Sequence, residues 1–199
     1  MLFKGIVKKW QAQFISHFWK QKKSVNEHRD YPRQPGIYAL FLANKADLGD
    51  FGQSGRLIYI GIAKESLQDR DFDQHFRSGQ TGRSTLRRSL GAILRNKLRL
   101  IAVPRGGTND SKRFDNYKFT ESGEQELTKW MEDYLEIGYW VPDRRLTYEQ
   151  LRDEEEKTTI KLRPTLDLDS RTRRYNPLAD KLDKLRGICK TEAQKNSNL

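Results

Sequence analysis

Two tyrosines, Tyr38 in Gly36-Ile37-Tyr38 and Tyr59 in Tyr59-Ile60-Gly61, each lie in a short apolar run beside a glycine. A phenol can hold or move a proton, but its reference pKa of about 10 must first be lowered by cationic neighbours. Arg70 follows Tyr59 by eleven residues. Its forked guanidinium suits a phosphate, although Asp69, Asp71 and Asp73 beside it offer ordinary ion pairs. His75 comes five residues after Arg70, an offset that on a regular α-helix separates the two by about 140°. Joint action therefore requires an irregular turn, and His75 is either a proton acceptor or a surface histidine. The remaining candidate is a carboxylate. In the run Asp153-Glu154-Glu155-Glu156, it is Glu155 that shares a helical stripe with Leu151, Thr158, Thr159 and Leu162, although Ile160 breaks the pattern. An inward carboxylate is costly unless it is paired with an arginine or bound to a cation.

The elements that position these groups follow from periodicity. Alternation puts Gly36, Tyr38 and Leu40 on one face of a strand and Ile37, Ala39 and Phe41 on the other. In the second run Leu57, Tyr59 and Gly61 share a face and Ile58 and Ile60 oppose it. Pairing the two strands predicts a buried Ile/Ala/Phe face and an open polar platform bearing both phenols. The turn between them, residues 43–55, carries Gly49, Gly52 and Gly55. A short helix is expected from Ser66 to Phe76, broken by Gly79-Gln80-Thr81-Gly82.

Ser84 then caps a helix whose Leu86, Leu90, Ile93, Leu94 and Leu98 oppose Arg87, Arg88, Arg95 and Lys97, which predicts a basic outer face. Arg83, Ser84, Thr85, Arg87 and Arg88 at that N-terminus either hold nucleic-acid phosphates or simply cap a solvated helix. Residues 114–120 suggest a further strand. Ser122 with Gln125 matches a capping box before a helix bearing Leu127, Trp130, Met131 and Tyr134. Leu135, Ile137, Tyr139 and Val141 alternate as a strand ending at Pro142, and Thr147 with Gln150 opens a helix to about Arg163. A short helix from Leu178 to Leu185 is expected to fray after Gly187.

A net charge of +11 favours a polyanionic partner, because lysines and arginines near phosphates release condensed counterions. Charge alone leaves acidic lipid open as well. An 11% aromatic content and repeated apolar stripes argue for a folded chain despite 33% charged residues. Cys189 is the sole cysteine, which excludes an intramolecular disulfide and a thiolate metal cluster and suits a reducing compartment. No apolar stretch is long enough to span a bilayer, so integral membrane association is not expected and the reading is a soluble, cytoplasmic protein. Residues 2–19 place Leu2, Phe3, Ile6, Val7, Trp10, Phe14, Ile15, Phe18 and Trp19 on one stripe of a basic amphipathic helix. That helix packs on the domain or on a second copy, which leaves a homodimer open, with a membrane-surface anchor or a nucleic-acid clamp as the alternatives.

Pro35-Gly36-Ile37-Tyr38, Leu57-Ile58-Tyr59-Ile60-Gly61-Ile62-Ala63 and the arginine that follows resemble the opening of the GIY-YIG nuclease superfamily. Thr81 to Leu90 and Leu127 to Met131 resemble segments of a bacterial branch, so the resemblance spans residues 34–186. It implies an α/β (α+β) domain with a small, mainly antiparallel sheet flanked by helices. The expected division is an N-terminal helix and linker at 1–33, a nuclease domain at 34–170 and a basic extension at 171–199.

The implied activity is metal-dependent endonucleolytic hydrolysis of DNA, with RNA not excluded, leaving 5′-phosphate and 3′-hydroxyl ends. By the same resemblance Glu155 holds Mg²⁺ or Mn²⁺, Tyr38 acts as base, Tyr59 and His75 assist, and Arg70 contacts the scissile phosphate. Two departures stand out. Asp167 occupies a position where asparagine is usual, making it either a second metal ligand or the mark of a weakened site; and Ile62 stands where many relatives carry a lysine, with Lys64 two residues on. A binding module of the same fold with decayed catalysis is the alternative.

Overall fold

The computed structural model describes residues 15–27 and 31–197, with residues 70–73 described by their backbone alone. A four-stranded antiparallel sheet has the order β1-β6-β2-β3, from β1 (Lys23–Ser24), β2 (Gly36–Leu42), β3 (Leu57–Ala63) and β6 (Leu135–Trp140). A separate pair joins β4 (Ala102–Val103) to β5 (Lys118–Phe119), which places the strand expected within 114–120 outside the main sheet. The α-helices are α1 (Thr85–Leu94), α2 (Glu121–Tyr134), α3 (Tyr148–Leu162) and α4 (Ala179–Lys195). This is the mixed α+β architecture expected from the sequence.

Strand β2 lies at the centre, and all seven of its residues are buried. One face joins Ile37, Ala39 and Phe41 to Ile60, Trp140 and Leu151 of α3. The other joins Tyr38 and Leu40 to Ile58, Tyr59, Leu86, Leu90 and Leu127. Both sides are therefore core, and the open polar platform is corrected: helices close over the phenols. The assignment of Leu57 to the tyrosine face is corrected too. The register moves from Leu40↔Tyr59 to Phe41↔Leu57, a bulge that turns Leu57 towards Phe41 and Ile58 towards Tyr59.

Residues 15–21 are helical, with Phe18 fully buried and its carbonyl against Gly138 of β6. The earlier part of the expected N-terminal stripe, Leu2 to Phe14, lies outside the described residues. The capping box at Thr147 and Gln150 forms as expected. The one expected at Ser122 and Gln125 does not: α2 begins two residues earlier, after Thr120, which makes no side-chain cap. Helix α4 runs ten residues beyond the expected Leu185, through Gly187 to Lys195. Leu182, Cys189 and Ala193 form its buried seam, and packing against α1 and β4 outweighs the helix-breaking tendency of one glycine.

Candidate active site

Strand register places Tyr38 directly opposite Gly61, and the phenol ring lies across that glycine. A Cβ on Gly61 would stand 2.4 Å from the Tyr38 hydroxyl and 2.5 Å from Cζ, so no other residue fits beneath the ring without moving it. The ring centroid of Tyr59 is 6.1 Å from that of Tyr38, and His75 is 5.7 Å from Tyr38 and 6.2 Å from Tyr59. Three proton-bearing rings thus enclose one small volume beside a glycine.

The segment Gln68–Phe76 is a π-helix. Its i→i+5 hydrogen bonding is an irregular turn that carries His75 inward, while the Arg70 side chain lies outside the described residues. Its start is tied down by the Leu67 and Gln68 amides, which donate to the Gln34 and Pro32 carbonyls, and by Gln68 Oε1, which accepts from the Tyr31 amide. His75 is buried and is no surface histidine. Its Nε2 lies 2.7 Å from Tyr38 Oη and its Nδ1 lies 2.7 Å from Ser84 Oγ.

Ser84 and Arg87 grip His75 from both ends. Ser84 is the N-cap of α1 and accepts from the Arg87 amide at 3.1 Å, while Arg87 Nη1 donates to the His75 carbonyl at 3.0 Å. Arg87 is fully buried. It pairs with Glu124 at 2.8 Å and also donates to Thr81 and Thr128. Glu124 in turn accepts from the amides of Gly79 and Phe119 and from the Thr81 hydroxyl. Arg88 is buried too and donates to the carbonyls of Thr81 and Gly82. Burial, and then the neighbouring Arg186, lower its pKa to about 10.

The basic outer face is therefore corrected. Arg87 points inward because a carboxylate, hydroxyls and carbonyls satisfy it, Arg88 is held by two carbonyls although its Nε is buried without a partner among the described residues, and Ser84 spends its hydroxyl on the helix cap and on His75. Of the five residues grouped there, Arg83 is exposed and Thr85 is half-buried. Lys64 extends into solvent over the Tyr148 ring, and Ile62 packs with the Ile37 cluster beneath α3.

Glu155 does turn inward, being 5% exposed. Helix α3 packs along β3, anchored by Leu151 and Leu162 on the Ile37 face rather than the phenol face. After α3 the chain is fixed to the outer edge of β3 by the Leu166 amide, which donates to the Ile58 carbonyl. The candidate groups thus straddle that edge strand, and the Glu155 carboxylate bonds to Arg171 at 3.2 Å rather than to a phenol. Burial raises the Glu155 pKa to about 7, with Asp167 adding repulsion and Arg171 opposing both. Burial also raises the pKa of Asp167, against a hydrogen bond from the Asp169 amide.

Two buried carboxylates whose ionised forms repel each other are hard oxygen donors that suit Mg²⁺ or Mn²⁺. The Thr159 hydroxyl, one turn beyond Glu155, is buried without a partner among the described residues. These residues fit a single cation completed by solvent; among the described residues no group of three His, Cys, Asp or Glu side chains is placed to hold a metal. Asn176, which sequence reading passes over, brings a buried side-chain amide to the same loop. It donates to the carbonyls of Thr165 and Asp167 and so holds that loop. Arg171 and the Ser84 contact to His75 are likewise beyond sequence reading, because their partners are set by tertiary structure.

The family model for the GIY-YIG catalytic domain matches residues 36–188. Searches among curated proteins and among solved structures return no match. Among the described residues no helix is long and apolar enough to cross a membrane. With Tyr38 and Tyr59 side by side in the two strands that open the matched region, the chain belongs to the GIY-YIG catalytic-domain family of nucleases.

Proposed function

We propose that this chain is a divalent-metal-dependent endonuclease that hydrolyses phosphodiester bonds in DNA. The observation that carries the reading is the buried 2.7 Å contact between Tyr38 and His75, beside Tyr59, in a chain of this family. Tyr38, as phenolate, accepts a proton from a water whose oxygen bonds to phosphorus, while the bond from phosphorus to the 3′-oxygen breaks. The departing oxygen takes its proton from solvent. Tyr59 orients the water, and the Arg70 guanidinium offsets charge on the phosphoryl oxygens. Glu155, with Asp167 beside it, would hold Mg²⁺ or Mn²⁺, which when bound would supply positive charge to a phosphoryl group. The +11 net charge suits a polyanionic substrate.

A second reading, a nucleic-acid-binding module without catalysis, is favoured by the Arg171 guanidinium already seated on Glu155. Supercoiled plasmid incubated with protein and Mg²⁺ or Mn²⁺, with EDTA and Glu155→Ala as controls, separates the two. Metal-dependent nicking lost in both controls supports the nuclease; retained binding without nicking supports the module. A parallel arm with structured RNA reports whether the substrate is DNA.

A further inference from the structure

We infer that Ser84 is a positioning residue that sets the tautomer of His75, so that Nε2–H donates to Tyr38 rather than accepting its proton. The catalytic meaning of this rests on the nuclease reading above; the tautomer itself does not.

The argument is a count of hydrogen-bonding capacity. A serine hydroxyl has one proton and two lone pairs. Ser84 is 1% exposed, and its hydroxyl has two partners among the described residues, the Arg87 amide and His75 Nδ1. The amide can only donate, so it takes one lone pair. If Nδ1 also carried a proton, it would take the other lone pair, and the Ser84 proton would be buried without an acceptor. Such a loss costs on the order of 1–3 kcal/mol. If Nδ1 is bare, the hydroxyl donates to it, and both Nδ1 and the Ser84 proton are satisfied. Neutral His75 then carries its proton on Nε2, 2.7 Å from Tyr38 Oη.

The position of Ser84 is overdetermined, which makes it an effective reference for the ring. Its backbone amide donates to the Thr81 carbonyl, its carbonyl accepts from the Arg88 amide, and the buried Arg87 fixes the His75 carbonyl. A donor aimed at the phenol oxygen stabilises the phenolate and lowers the Tyr38 pKa. His75 is then a fixed donor to the base, and Tyr38 itself takes the proton from water.

The test is ¹⁵N-labelled full-length protein at a pH where His75 is neutral, read by long-range ¹H–¹⁵N correlation of the imidazole, with His75→Asn to assign the signals. The expected result is a bare Nδ1 and a protonated Nε2 in the wild type, retained in Ser84→Thr and mixed or reversed in Ser84→Ala. A protonated Nδ1 in the wild type, or a Ser84→Ala tautomer identical to it, overturns the proposal. In the nicking assay, Ser84→Ala is expected to be roughly ten- to hundredfold slower at neutral pH, with its pH profile displaced upward and Ser84→Thr restoring both. An unchanged profile overturns the positioning role. A wild type that never nicks DNA removes the nuclease reading and leaves the tautomer result standing.

Discussion

Gly61 lies directly beneath the Tyr38 ring, so close that a methyl group on it would stand 2.4 Å from the phenol oxygen. The glycine is a consequence of how the tyrosine is seated. Gly61→Ala must push the ring and its hydroxyl away from His75. Misplacement of a reacting group by an ångström can cost about a hundredfold in rate, and overpacking costs on the order of 1–3 kcal/mol. Nicking should therefore fall about a hundredfold in a variant that still melts cooperatively. A variant with wild-type activity would show that the Tyr38 position is not critical.

The buried Arg87–Glu124 pair makes a contrast with Arg83 on the exposed rim. Removing one member of a buried, hydrogen-bonded pair strands the other and costs about 3–5 kcal/mol. Arg87→Ala should lower the urea midpoint by that equivalent. Arg83→Ala should leave it within about 0.5 kcal/mol while weakening DNA binding and its salt dependence. Equal stability in the two variants would contradict the buried network.

Glu155 gives a pH dependence whose sign can be worked out. Its pKa is about 7 in the folded chain against an ordinary value of 4.5, so the folded state binds the proton more tightly. Stability from this group is present at low pH and is lost as pH rises from near 4.5 through 7. Metal-free wild type should thus lose up to about 3 kcal/mol relative to Glu155→Gln between pH 5 and pH 8. Mg²⁺ or Mn²⁺ should raise the wild-type melting temperature at pH 8 and leave Glu155→Gln unmoved. Parallel stability profiles for the two proteins would contradict the buried carboxylate.

Cys189 is fully buried on α4, and burial pushes its thiol up to about 11. The thiolate is the reactive form. At pH 8 an aromatic disulfide reagent should label native protein orders of magnitude more slowly than protein in denaturant. Rapid native labelling would contradict the extension of α4 past Gly187.

The parts of this structure that could be read from the sequence are those governed by local periodicity. The β2–β3 hairpin, the capping box at Thr147 and the inward turn of Glu155 follow from two-residue and helical spacing. What could not be read depends on partners far along the chain. Arg87 counts as polar in any helical pattern, and its interior position depends on Glu124, 37 residues away, together with Thr81, Thr128 and the His75 carbonyl. The bulge that reverses Leu57 and Ile58 leaves the composition of β3 unchanged. The π-helix that carries His75 onto Tyr38 differs from an α-helix by its hydrogen-bond register, which residue types do not encode. The hold of Ser84 on the ring and of Arg171 on Glu155 is hidden as well, because tertiary packing and not local periodicity sets those partners.

The central claim is that the Tyr38 oxygen is the base in phosphodiester hydrolysis. Tyr38→Phe keeps the ring over Gly61 and deletes that oxygen, so single-turnover nicking of supercoiled DNA with Mg²⁺ or Mn²⁺ tests it directly. The rate is expected to fall by about 10²–10⁴-fold, with DNA binding and melting temperature close to wild type. Nicking at the wild-type rate by Tyr38→Phe would contradict the account.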